Sequence, residues 1–151
     1  KMSVDIGFGD VVTPYPASID FPLLLQNIPS VNLQAYSLET VIAEKFHTML
    51  DRDEYNSRMK DFFDCYQLLT KRELDDVTLY DAIKATFDNR ELEYNPKLKL
   101  FTAEFVNDTN RQMQWKLFLR KIQWKEELSF NVVMQVITDR LKPMAEKYWN
   151  K

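Results

Sequence analysis

Apolar residues along this chain follow two different periods, and the change falls near residue 37. In residues 2–14, Val4, Ile6 and Phe8 alternate with Ser3, Asp5 and Gly7, the two-residue period of a half-buried strand. Further strand material lies at residues 19–25 and 31–36. A strand at the start of the chain needs partners, so either of those runs, or a neighbouring copy of the chain, is expected to cover its edge. From Ser37 onward the spacing becomes helical. Ser37 is placed to cap a helix over residues 38–50, in which Leu38, Val41, Ile42, Phe46 and Met49 form one apolar stripe. After a polar turn at residues 51–55, a second helix over about 58–70 turns Met59, Phe62, Phe63, Tyr66 and Leu69 inward. Thr78 is placed to cap a third, over about 79–87, and residues 89–96 break the pattern. One or two helices follow over 98–123, with Phe101, Phe105, Trp115, Phe118, Leu119 and Ile122 as core positions. Ser129 then caps a long last helix bearing Phe130, Val133, Val136, Ile137, Leu141 and Met144. Pro143 is expected to bend or interrupt that helix, because it has no amide hydrogen and crowds the preceding turn. The fold class is therefore mostly α with a short amino-terminal β element, divided at residues 1–36 and 37–151.

Composition supports this picture. With 151 residues and 45% hydrophobic content, the chain has enough material for one real core. Ten Phe, seven Tyr and three Trp argue against disorder. Glycine occurs only at Gly7 and Gly9, which disfavours a Gly-rich phosphate loop. Lys and Arg number 20 against 23 Asp and Glu, a formal charge of −3, so broad attraction to nucleic acid is not predicted. The single Cys65 excludes an internal disulfide, and the single His47 weighs against a His- or Cys-rich zinc site. The run Phe21-Pro-Leu-Leu-Leu25 is too short to span a membrane. Nothing in it resembles a signal peptide, and a reducing cytoplasm is the expected location.

Chemistry concentrates in one charged group: Glu44, Lys45, Arg58, Lys60, Asp61 and Asp64. Lys45 stands at the edge of the first helical stripe, where a lysine either snorkels to solvent or reaches a phosphate as a mobile point charge. Asp61 and Asp64 are neighbours on one face of the second helix, with Arg58 three before Asp61 and Lys60 four before Asp64. That arrangement is either a surface ion-pair ladder or a carboxylate presented to a nucleotide among phosphate-neutralising cations. Asp5 projects from the first strand beside a glycine-containing turn, either as a hard-oxygen Mg²⁺ ligand or simply as a solvent-facing residue on the wet side of the strand. Asp10 is the second such candidate. Asp51-Arg-Asp53 has the spacing of a metal-binding pair but falls in a turn with no strand before it. Cys65 reads as a small buried hydrophobe, His47 as a core-edge residue. The mixed aromatic and basic run 111–125 reads as a packed face plus a solvated one, with RNA contact as its alternative use.

Three motifs, Val4-Asp-Ile-Gly-Phe-Gly-Asp10, Leu38-Glu-Thr-Val-Ile-Ala-Glu-Lys45 and Arg58-Met-Lys-Asp-Phe-Phe-Asp64, together resemble the AbiEii family of nucleotidyltransferases. These are toxin components of type IV toxin–antitoxin and abortive-infection systems. The resemblance is fullest up to about residue 70. It implies an α/β nucleotidyltransferase sheet followed by a helical domain, so that residues 1–36 would be the terminal strands of a truncated sheet. It further implies Asp5, or alternatively Asp10, as a metal-holding strand carboxylate. Lys45 would be the phosphate-contacting lysine and Asp61 the aspartate of the last motif, with Asp64 and Arg58 beside the nucleotide. Mg²⁺ and a nucleoside triphosphate are the implied cofactor and substrate, tRNA, another RNA or a protein the implied acceptor, and an antitoxin the implied partner. The upstream Gly-Ser turn and Asp-x-Asp pair of such enzymes are missing. The chain alone is therefore expected to be inactive, and its exposed sheet edge offers a route to self-association. The competing expectation is a non-catalytic helical module that binds protein or RNA. Convergence of Lys45 with Asp5 and Asp61 in one open cleft would favour the first reading, and their dispersal on separate faces the second.

Overall fold

The computed structural model describes residues 9–21 and 29–150, and the expected strand at residues 2–8 lies outside them. Two strands, β1 (Ala17–Phe21) and β2 (Val31–Ala35), pair antiparallel in the register Ala17↔Ala35, Ile19↔Leu33 and Phe21↔Val31. Alternate side chains share a face, so these six apolar residues line one side of the ribbon. The other side is polar and tied together: the Ser18 hydroxyl donates to Asn32 Oδ1 (2.7 Å), and Asn32 Nδ2 donates to Asp20 Oδ1 (3.1 Å).

Six helices follow: α1 (Leu38–Arg52), α2 (Met59–Lys71), α3 (Asp76–Asn89), α4 (Ala103–Asn107), α5 (Thr109–Lys121) and α6 (Phe130–Trp149). The first helix begins where the sequence places it. The Ser37 hydroxyl accepts from the Thr40 amide, satisfying one of the free donors of the first turn. Ser129 does the same for α6 through Val132. The third helix starts a turn earlier than the Thr78 cap implied: Asp75 accepts from both the amide and the hydroxyl of Thr78. A carboxylate three residues upstream outcompetes the hydroxyl as a cap because it is charged and sits at the positive end of the helix. Leu38, assigned to the inward stripe, is 39% exposed, since it stands at the first position of α1, at its open rim. The 98–123 region resolves into two helices divided at Asp108, whose carboxylate caps α5 by accepting from the Arg111 amide (2.8 Å).

Pro143 does not end α6, which runs on to Trp149. The carbonyl deprived of its partner is that of Asp139, four residues earlier, and both Asp139 and Pro143 lie on the exposed side of the helix. Water can serve that carbonyl, so the lost bond need not break the helix.

The core forms where α1 packs on α3 and α2 packs on α6. Ile42, Phe46, Met49, Phe62, Cys65, Leu79, Ile83, Phe87, Trp115, Phe130 and Ile137 are nearly or fully buried in it. Phe46 meets Phe87 at 5.7 Å between ring centroids, and Phe62 meets Phe130 edge-on at 5.3 Å. Burial pushes the Cys65 thiol well above its ordinary range, as expected of an inert core sulfur. The turn after α1 is fastened by Asp53, whose carboxylate accepts from the amides of Lys99 (2.9 Å) and Leu100 (2.7 Å). Asp53 thus has a structural occupation rather than a metal-binding one. Asp53→Ala should lower stability by about 1–2 kcal/mol, because both amides lose a charged acceptor. A thermal melt indistinguishable from wild type would show that water replaces the carboxylate without loss.

Candidate functional site

The site is built where α1 and α2 run side by side under the end of β2. Residues 44 and 45 point away from the α1 core stripe, and α2 begins after a tight turn organised by Asn56. That buried side chain accepts from the Arg58 amide through Oδ1 (2.9 Å), fixing the entry of α2. The turn sets Asp61 opposite Lys45. The Lys45 ammonium donates to Asp61 Oδ1 at 2.7 Å and lies 2.9 Å from Asp64 Oδ2. Arg58 Nε lies 3.1 Å from the other Asp61 oxygen, and Lys60 Nζ lies 2.5 Å from Asp64. Five of the six charged residues singled out from sequence therefore form one network across two helices.

Burial works against the charged form of Lys45, yet the hydrogen bonds and charges of Asp61 and Asp64 outweigh it, and its pKa is raised. Lys45 is thus held as a cation, with two of its three N–H donors committed. Asp61 is buried, so the network goes beyond the exposed ladder that would be worth little.

Glu44, the sixth residue, turns the other way. Its Oε2 accepts from Arg90 (3.0 Å), and the same Arg90 nitrogen donates to Asp10 Oδ1 (2.7 Å). The Tyr36 hydroxyl completes this second chain by donating to Asp10 Oδ2. Desolvation raises the Glu44 pKa, opposed chiefly by Arg90. The hydrogen bond to Asp10 raises that of Tyr36, which stays a neutral phenol. Asp10 is placed here by a strap over residues 9–13. Asn89 Nδ2 donates to the Gly9 carbonyl (2.9 Å), while the Thr13 amide donates to Thr40 Oγ1 (2.9 Å) and the Thr40 hydroxyl to the Thr13 carbonyl (3.0 Å).

Between the two networks lies an open cleft of about 250 Å³, lined by Tyr36, Val41, Glu44, Lys45, Thr48, Arg58 and Asp61. Lys45 and Asp61 converge in it. Asp10 borders it through Tyr36, and Asp5 lies outside the described residues. Sequence reasoning missed Tyr36 and Arg90. Tyr36 carried a weak signal, as the residue just before the Ser37 cap. Arg90 carried none, because 80 positions separate it from Asp10.

Among the described residues, no three His, Cys, Asp or Glu side chains gather as a metal-binding group. The described residues therefore do not by themselves fit the Mg²⁺ implied by nucleotidyl transfer, and both oxygens of Asp10 are engaged by Arg90 and Tyr36. His47 packs against Phe87 at 6.1 Å between centroids, and burial lowers its pKa. It is a core-edge residue and no part of the cleft lining. In the basic run 111–125, Arg111 is buried and donates to the carbonyls of Glu54, Asn56 and Phe105. It is not available to an RNA surface.

Among the described residues no helix is long and apolar enough to cross a membrane. No curated protein and no solved structure matches the chain. A family model described as "Nucleotidyl transferase AbiEii toxin, Type IV TA system" matches residues 1–136. That match spans the strap, the hairpin, the Lys45–Asp61–Asp64 network and most of the helical region, and its description implies an antitoxin partner. The chain belongs to the AbiEii nucleotidyltransferase toxin family.

Proposed function

We propose that this chain supplies the lysine-bearing side of a nucleotidyl-transfer site, in which the cleft over α1 and α2 holds the phosphates of a nucleoside triphosphate. The observation that carries this reading is the Lys45 ammonium, held on Asp61 and Asp64 at the floor of an open cleft with Arg58 on its rim. Lys45 and Arg58 meet the phosphates. Asp61 and Asp64 position Lys45 and keep it charged. Residues 1–36 serve as terminal strands of the nucleotidyltransferase sheet and 37–151 as its helical domain. In the reaction a hydroxyl oxygen of an RNA or protein acceptor bonds to the α-phosphorus while the bond to the α,β-bridging oxygen breaks. Pyrophosphate then leaves and the hydroxyl proton passes to solvent. Asp5 remains the strand carboxylate proposed for metal; Asp10, its alternative, would first have to release Arg90 and Tyr36. No step is assigned through Mg²⁺.

By itself the chain should not turn over, because its sequence contains no Gly-Ser dipeptide and its Asp51-Arg-Asp53 pair is spent on a turn. The test is transfer of labelled nucleotide to tRNA, compared between this chain and the protein as its gene encodes it. Lys45→Met in the latter should lower transfer by about 100-fold, the scale of losing one charge-stabilising donor at a transferring phosphoryl group, while Lys45→Arg retains part of it. Transfer unchanged by Lys45→Met would sink the assignment, and vigorous transfer by the chain alone would refute its inactivity.

A further inference from the structure

Among the described residues Tyr36 is the one aromatic side chain on the cleft lining, and it is 42% exposed. Exposure of a single aromatic means little on its own. The setting of this one is unusual because its ring is tethered at both ends. On the backbone side it adjoins Ser37, which is buried and donates to the Thr13 carbonyl. At the far end its hydroxyl donates to Asp10, which is fixed by Arg90, which is fixed in turn by Glu44. Three side chains, from the strap, α1 and the end of α3, thus hold one ring at the mouth of a cleft whose other walls carry Lys45 and Arg58. A ring immobilised before binding loses little conformational entropy when a flat ligand stacks on it. Its anchoring hydroxyl also ties its polar tip to the protein, leaving the apolar face to meet a ligand.

Resting on the nucleotide reading above, we propose that Tyr36 is the platform on which the nucleobase stacks while Lys45 and Arg58 hold the phosphates. Stacking of this kind accepts any base, because every base has a π-face. Tyr36 therefore adds affinity for a nucleoside over a bare polyphosphate without choosing among the four bases. The Asp10–Arg90–Glu44 chain then has a positioning duty: it aims the ring.

Equilibrium binding of two probes, ATP and inorganic tripolyphosphate, separates this proposal from the reading beneath it. Tyr36→Leu should weaken ATP binding about tenfold and leave tripolyphosphate binding unchanged, whereas Lys45→Met should weaken both. Tyr36→Phe keeps the ring without its tether and should fall between wild type and Tyr36→Leu for ATP. Circular dichroism on each variant confirms an intact fold, which the exposure of Tyr36 makes the expected result. If Tyr36→Leu leaves ATP binding intact while Lys45→Met weakens both probes, the platform is wrong and the phosphate cleft stands. If Lys45→Met changes neither, the cleft reading fails and the platform falls with it.

Discussion

Phe62→Ala is expected to lower the stability of this protein by about 4 kcal/mol, the scale for deleting a buried aromatic ring from a packed core. Phe62 is fully buried on α2, with Phe130 of α6 edge-on at 5.3 Å and Phe105 at 6.3 Å. Trp115 packs on Phe130 in turn, at 5.5 Å. No neighbour is small and mobile enough to fill the void, because the surrounding rings are themselves locked against one another. The loss would consume a large share of the roughly 5–15 kcal/mol that holds an ordinary domain together. Urea denaturation would read it as a shifted midpoint at constant slope. A midpoint within experimental error of wild type would mean that the aromatic cluster collapses freely into the space, contrary to the packing described here. Because Phe62 adjoins Asp61, the variant should also loosen the Lys45 network, a secondary effect that the proposed function would make visible as weaker nucleotide binding.

Arg111→Met should cost about 3 kcal/mol for a different reason. Its guanidinium donates to three backbone carbonyls, those of Asn56 (2.5 Å), Glu54 (2.9 Å) and Phe105 (3.2 Å), and lies 3.6 Å from the centre of the Phe105 ring. Two of those carbonyls belong to the turn between α1 and α2, so one side chain of α5 fastens the segment that aims α2. Burial lowers the Arg111 pKa without bringing an arginine near neutrality. Methionine would replace the aliphatic stem and leave the carbonyls without a charged donor, an outcome costlier than never having had the bonds. Lysine should recover only part of the loss, since a single ammonium cannot fork to three acceptors. Equal urea midpoints for Arg111→Met and wild type would show that water serves the carbonyls unaided.

Much of this architecture was legible in the sequence because it rests on local rules. Ser37 and Ser129 announce helix starts through a side-chain oxygen three residues ahead of the amide it accepts from, and the structure uses both. The α2 stripe, with Met59, Phe62 and Leu69, was readable from its period, and the burial of Cys65 from its small apolar side chain beside that stripe. The errors share a cause. Thr78 and Leu38 were judged from their own propensities, whereas their surroundings decided the outcome: the Asp75 carboxylate and the open end of α1. The Lys45 group was visible as a pattern of charges, but whether it was a ladder or a network depended on how closely α1 approaches α2. That distance is set by core packing, which no spacing rule contains. The Tyr36–Asp10–Arg90–Glu44 chain was beyond reach for the same reason, joining four parts of the chain through contacts between residues as much as 80 positions apart.

The double anchorage of Lys45 has a consequence for how this position tolerates change. One ammonium joins α1 to α2 and, under the proposed function, also greets the phosphate. Any replacement therefore meets two independent tests at once, folding and turnover. A saturation library scored only for toxicity would show a single intolerant site and hide which demand was failing. Scored in parallel for abundance, the same library would separate them: Lys45→Arg could pass the first test while falling short on the second. The network that made this residue easy to notice is also what makes its variants hard to interpret from one phenotype.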